Sequence, residues 1–185
     1  MTSGFTDDDA LRAKYMHRFR QHDTDGDGYV TAEDFRTRAA RLVRGLGVPD
    51  DEPRARALHA GARHMWEGLV ALADVEAGAL SEAAFVAALT RARAEGGIPE
   101  LVGPSVAAHL ALIDTDGDGA VSLGEFTAGQ VAMGQSESGA AEAFAALDTD
   151  GDGVLSTAEW HAAVLDFYAG PPSRTPGDLV LDHRP

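Results

Sequence analysis

Carboxylates recur in this sequence at a spacing that suits a hard cation. The hexamer Asp-Thr-Asp-Gly-Asp-Gly begins at Asp23, at Asp114 and again at Asp148. Each copy is followed by one residue, then an aliphatic (Val30, Val121, Leu155), then a hydroxyl (Thr31, Ser122, Ser156), and three later an acid (Asp34, Glu125, Glu159). An ion such as Ca2+ takes roughly six to eight oxygens, and a twelve-residue loop offers them from positions 1, 3, 5, 7, 9 and 12. The first loop would supply Asp23, Asp25, Asp27, the carbonyl of Tyr29, Thr31 directly or through water, and Asp34. The second hexamer gives Asp114, Asp116, Asp118, the Ala120 carbonyl, Ser122 and Glu125. The third gives Asp148, Asp150, Asp152, the Val154 carbonyl, Ser156 and Glu159. Position 6 is Gly28, Gly119 or Gly153, where the chain needs a positive φ that a Cβ opposes. The crowded carboxylates repel one another until a cation enters, which makes ion binding and loop order one process.

Asp34 sets the first loop apart. Glu at position 12 reaches across a loop to offer two oxygens, and Asp is one methylene shorter. Lower coordination relaxes the demand for a large ion, so Mg2+ is expected to compete with Ca2+ chiefly at the Asp34 site. A fourth copy of the template aligns when Leu80, Ser81 and Phe85 take the aliphatic, hydroxyl and aromatic positions. Its ligand positions hold Ala73, Val75, Ala77 and Ala84, with Asp74 and Glu76 one residue out of register. A loop of the same shape, turned by Gly78 and carrying no ion, is expected there. Three ions per chain follow.

Such loops must be held between helices, and apolar residues at helical spacing flank each of them. Leu11, Tyr15 and Phe19 precede the first, with a start expected at Thr6 and Asp7 to Asp9. A long helix is expected from near Pro53, and breaks fall at 45–49, 95–104 and 133–138, all rich in Gly, Pro or Ser. The expectation is an all-α chain of about eight helices, two per helix–loop–helix motif, that is four EF-hands in two paired lobes packed into one body. Paired loops would touch through a short β contact, Val30 with Leu80 and Val121 with Leu155. Residues 1–97 would form the first pair and 98–170 the second. Residues 171–185 would form a proline-rich tail whose Leu179-Val180-Leu181 is fit to cover a groove.

This pattern resembles the sarcoplasmic calcium-binding proteins and their actinobacterial relatives of the calerythrin type. The resemblance covers nearly the whole chain. It rests on the order active, silent, active, active, on the wide spacing of the first two loops, on Asp34 and on the terminal run Leu165-Asp166-Phe167-Tyr168-Ala169-Gly170. It implies a cytosolic calcium buffer or carrier using the loop residues named above.

Composition narrows the remaining choices. Acidic residues number 30 against 15 basic, and from Glu95 to Ser173 there is no Lys or Arg. A net charge of -15 argues against a nucleic-acid partner, which needs a basic footprint. The arginines before Glu95 are read as solvating helix faces and attracting the acidic half of the same chain. With no cysteine, thiolate metal sites are excluded. The acidic N-terminal stretch is unlike a secretory leader, Thr2 is not a myristoylation glycine, and no long apolar run occurs; cytoplasmic residence without membrane attachment, as a monomer, is the expectation.

The seven histidines lack metal-ligand spacing, and His59 and His64 would point to different faces of one helix. No nucleophile or phosphate-cradling motif accompanies them, so no enzyme is expected. Two readings remain. A buffer keeps its apolar faces buried whether or not calcium is bound, whereas a sensor opens a groove for a protein target. Adaptable grooves are rich in Met, and this chain has only Met1, Met16, Met65 and Met133, which favours the buffer.

Overall fold

The computed structural model describes residues 7–73, 75, 78–170 and 176–181. Thr6, Asp74, Glu76 and Ala77 lie outside the described residues, as does the tail apart from 176–181. Each motif is a helix, a loop ending in a three-residue strand, and a second helix. The first comprises α1 (Asp7–His22), β1 (Tyr29–Thr31) and α2 (Ala32–Gly45), and the next α3 (Pro53–Ala73), β2 (Ala79–Ser81) and α4 (Glu82–Ala94). Then follow α5 (Ile98–Ile113), β3 (Ala120–Ser122) and α6 (Leu123–Ala132), and α7 (Glu137–Leu147), β4 (Val154–Ser156) and α8 (Thr157–Ala169). A short α9 (Pro176–Leu181) closes the described chain.

The strands pair antiparallel in the expected register, Val30 opposite Leu80 and Val121 opposite Leu155. All four of these side chains are buried, so each β contact is a plug of apolar surface between two loops. The aromatic after each loop is also buried: Phe35, Phe85, Phe126 and Trp160. A single apolar cluster runs through both halves of the chain.

The join between the halves is made largely by α3 against α5. Gly61 and Gly68 are seven residues apart and therefore share a face of α3. A Cβ on Gly61 would lie 2.8 Å from Ser105 Cα and 3.0 Å from the Pro104 carbonyl oxygen, and one on Gly68 would lie 2.6 Å from Leu101 Cδ1. Glycine at 61 permits the close approach of the two backbones, and glycine at 68 makes room for the Leu101 side chain. Arg54 extends the same contact by donating to the Asp114 carbonyl at 2.9 Å, placing a cation at the C-terminus of α5, where the helix dipole favours one. Two further basic groups reach the acidic half, Lys14 to Asp178 at 3.0 Å and Arg93 to the Ala169 carbonyl at 3.3 Å.

Two expectations are corrected. The break read over 95–104 is confined to 95–97, because α5 starts at Ile98 and carries Pro104 in its interior. Proline cannot donate to the carbonyl four residues earlier. That carbonyl belongs to Glu100, and His64 Nε2 donates to it instead at 2.8 Å, so the helix continues. The second correction concerns Gly78. It is not among the glycines with positive φ, unlike Gly28, Gly119 and Gly153, and α3 runs on through Ala73, the first loop position. Ala73 has no carboxylate to accept from backbone N–H groups as Asp23, Asp114 and Asp148 do in the other loops. Within the tail, α9 packs beside α7 and α8, with Leu179 against the core and its carbonyl accepting from Gln135 Nε2 at 3.2 Å. Among the described residues no single helix is long and apolar enough to cross a membrane.

Candidate metal centre

The acidic side chains of three loops converge. Asp23, Asp25 and Asp27 each present an oxygen within 4.8 Å of the others, and so do Asp114, Asp116 and Asp118, and Asp148, Asp150 and Asp152. The local sequence explains the convergence. In the first loop Asp23 Oδ1 accepts from the N–H groups of Gly26 at 2.9 Å and Asp27 at 3.1 Å, while its Oδ2 accepts from Gly28 at 3.0 Å. Asp114 and Asp148 hold the N–H of Gly119 and Gly153 in the same way, at 3.1 and 3.0 Å. The position-6 glycines have φ of 86°, 88° and 85°, which lets the chain wrap around its own first carboxylate. Tyr29, Ala120 and Val154, whose carbonyls were assigned to position 7, are the first residues of β1, β3 and β4.

The position-12 acids are held by four donors each. Glu125 Oε1 accepts from the N–H and hydroxyl of Thr115, both at 2.8 Å, and its Oε2 from those of Ser122 at 2.9 and 2.8 Å. Glu159 repeats this with Thr149 and Ser156, and Asp34 with Thr24 and Thr31. Thr31, Ser122 and Ser156 are also the N-caps of α2, α6 and α8, forming capping boxes with these acids. Asp34 gains the same four bonds despite its shorter side chain and is more deeply buried than Glu125 or Glu159. The threonines at position 2, Thr24, Thr115 and Thr149, are site residues that the ligand template misses. Their signal was present, since Thr is the second residue of every hexamer.

These bonds shape the acid–base behaviour. For Glu125, burial works to raise the pKa, but the Ser122 N–H, the Thr115 hydroxyl and N–H, and the Ser122 hydroxyl bring it from 4.5 to about 2. For Glu159 the Ser156 N–H is the leading cause, and the pKa again falls from 4.5 to about 2. Asp34 is lowered too, its burial outweighed by the hydroxyls and N–H groups of Thr24 and Thr31. A depressed carboxylate pKa stabilises the fold above the unfolded-state value and ceases to do so as pH falls through the folded-state value. Stability in chelator is therefore expected to decline between pH 4.5 and about 2, modestly because both glutamates are well solvated. Urea midpoints across that range would show it, and the Glu125→Gln Glu159→Gln variant should flatten the curve.

The donor set is all hard oxygen, as calcium requires. Models of the EF-hand domain and the EF hand match residues 14–37, 108–129 and 140–165, the three acidic loops with their helices. Calerythrin of Saccharopolyspora erythraea is 31% identical over 157 residues, covering 83% of this chain and 89% of the relative. The chain belongs to the calerythrin family of EF-hand calcium-binding proteins. A Streptomyces coelicolor calcium-binding protein, described in the context of prokaryotic calcium-mediated regulation, is 34% identical with a TM-score of 0.77, covering 87% of this EF-hand protein and 99% of its own chain. The amphioxus sarcoplasmic calcium-binding protein shares the fold at 16% identity, with a TM-score of 0.72 and coverage of 96% and 98%. The chain is thus a calcium-binding protein.

Proposed function

We propose that this EF-hand protein is a calcium buffer or carrier, a cytoplasmic monomer that takes up three ions. In this reading the ligands are Asp23, Asp25, Asp27, Tyr29, Thr31 and Asp34 in the first loop. They are Asp114, Asp116, Asp118, Ala120, Ser122 and Glu125 in the third, and Asp148, Asp150, Asp152, Val154, Ser156 and Glu159 in the fourth. Residues 1–97 act as one pair, in which the second loop is a silent scaffold for the first, and 98–170 act as the other. The observation that carries the buffer reading is the continuity of the apolar core across both pairs. Opening either pair as a sensor does would have to disturb the packing of α3 on α5, where Gly61 has brought the backbones together.

The sensor reading is favoured by one observation, the regulatory context of the 34% identical Streptomyces coelicolor relative. A calcium titration followed with a dye that fluoresces on apolar surface separates the two. A flat or falling signal while three ions bind supports the buffer; a rising signal means that a groove has opened for a protein target.

Magnesium competition belongs to the first site in this reading. Asp34→Glu is expected to raise the preference for Ca2+ over Mg2+ there by restoring a second oxygen. Parallel calorimetric titrations with both ions check it, and an unchanged ratio would discard the role given to the shorter acid.

A further inference from the structure

Away from the loops, a pocket of about 120 Å3 of water-accessible volume lies between the two halves. Helices α1, α2, α3, α5, α6 and α8 all contribute to its wall. At roughly 10–15 Å3 per water in that measure, it admits a molecule of about ten non-hydrogen atoms. Its lining is mostly apolar and aromatic, yet it holds Arg18, Arg38, His22, His109 and Gln130 and no carboxylate. This is opposite in sign to the net charge of the molecule.

The polar groups there are short of acceptors. Arg18 donates Nε to the Tyr168 hydroxyl at 2.9 Å and Nη1 to Gln21 Oε1 at 2.6 Å, and Arg38 donates Nη1 to the Gln21 carbonyl. Neither forms an ion pair among the described residues. Gln130 Nε2 and both ring nitrogens of His22 are buried without a hydrogen-bond partner, and these residues are only 3% and 4% exposed. Unpaired buried donors and cations are costly, and a guanidinium is built to hold a carboxylate through two bonds. Burial and the Arg18 charge pull the Arg38 pKa down to about 9, so it remains a cation at neutral pH. Burial, followed by the Arg18 and Arg38 charges, brings His109 to about 4, so its ring is neutral. Flat surfaces complete the wall: His22 stacks on Phe35 with centroids 4.3 Å apart, and His109 on Trp160 at 5.4 Å.

We propose that this pocket binds a small aromatic carboxylate, its anionic end held by Arg18 and Arg38 with Gln130 and His22 donating, and its ring lying among Phe35, His109 and Trp160. A mostly apolar and aromatic lining that also carries two guanidiniums and buried donors fits such a molecule better than it fits an inorganic anion. Phenylacetate and its neutral isostere 2-phenylacetamide are the probes. Calorimetric titration into the calcium-saturated full chain is expected to give one saturable phenylacetate site, with the amide at least tenfold weaker. Arg18→Met and Arg38→Met, which keep the apolar stem and remove the charge, should each weaken phenylacetate at least tenfold. The comparison of acid with amide needs no variant, so it stands even if a substitution disturbs folding. Absence of saturable binding, equal binding of acid and amide, or undiminished binding by a folded Arg18→Met Arg38→Met protein would overturn the proposal.

Discussion

Glu159→Gln is expected to lower calcium affinity at the fourth loop by a factor on the order of a hundred, about 2.7 kcal/mol. The substitution keeps the volume of the side chain and one acceptor oxygen. It removes one of four negative charges from the loop and replaces the second oxygen with an amide nitrogen that cannot accept. In the structure that second oxygen faces an N–H and a hydroxyl, so the amide also sets donor against donor. Calorimetry should report one fewer ion bound at micromolar calcium. Because β3 and β4 bond directly to each other, with Val121 opposite Leu155, the third loop should weaken as well, by a smaller factor. Full occupancy of three sites in the variant would refute the ligand role of Glu159.

The second large effect is on the stability of the whole chain. Three calcium ions would cancel six of the fifteen net negative charges. At free calcium about a hundredfold above the dissociation constant, each site contributes about 2.7 kcal/mol, and three contribute about 8 kcal/mol. For a chain of this size roughly 2–4 °C of Tm accompany each kcal/mol, so adding chelator is expected to lower Tm by about 15–30 °C. Calorimetric melts at matched ionic strength measure the shift. A fall of about a third of that size would mean that only one loop is coupled to folding, and identical melts would mean that none is.

Much of this was written in local sequence because calcium loops are local objects. Every side chain that converges in the first loop lies between Asp23 and Asp34, so spacing alone fixes which oxygens can meet. The strand register follows equally directly, since the aliphatic residue at position 8 has a fixed offset from the glycine turn. Other features depended on partners distant in sequence. Pro104 looked like a stop, and the histidine that relieves it is forty residues earlier, on another helix. Gly78 looked like a turn glycine, but a glycine permits positive φ without requiring it, and the carboxylate that would draw the turn together is missing at Ala73.

The division is clearest in the arginines. Read along the chain, Arg18 and Arg38 belong to a basic stretch that solvates helix faces and balances the acidic half, and Arg54, Lys14 and Arg93 do reach across to that half. Helical phase places Arg18 one turn before His22 on α1, but nothing in α1 says what that face will meet. Packing of α1, α2, α3, α5, α6 and α8 around one pocket turned two guanidiniums inward together. The sequence by itself determined the ion-binding chemistry, because ligands within a dozen residues are arranged by backbone geometry alone. Only the tertiary structure decided the central pocket, because its chemistry is the sum of side chains brought together from six helices.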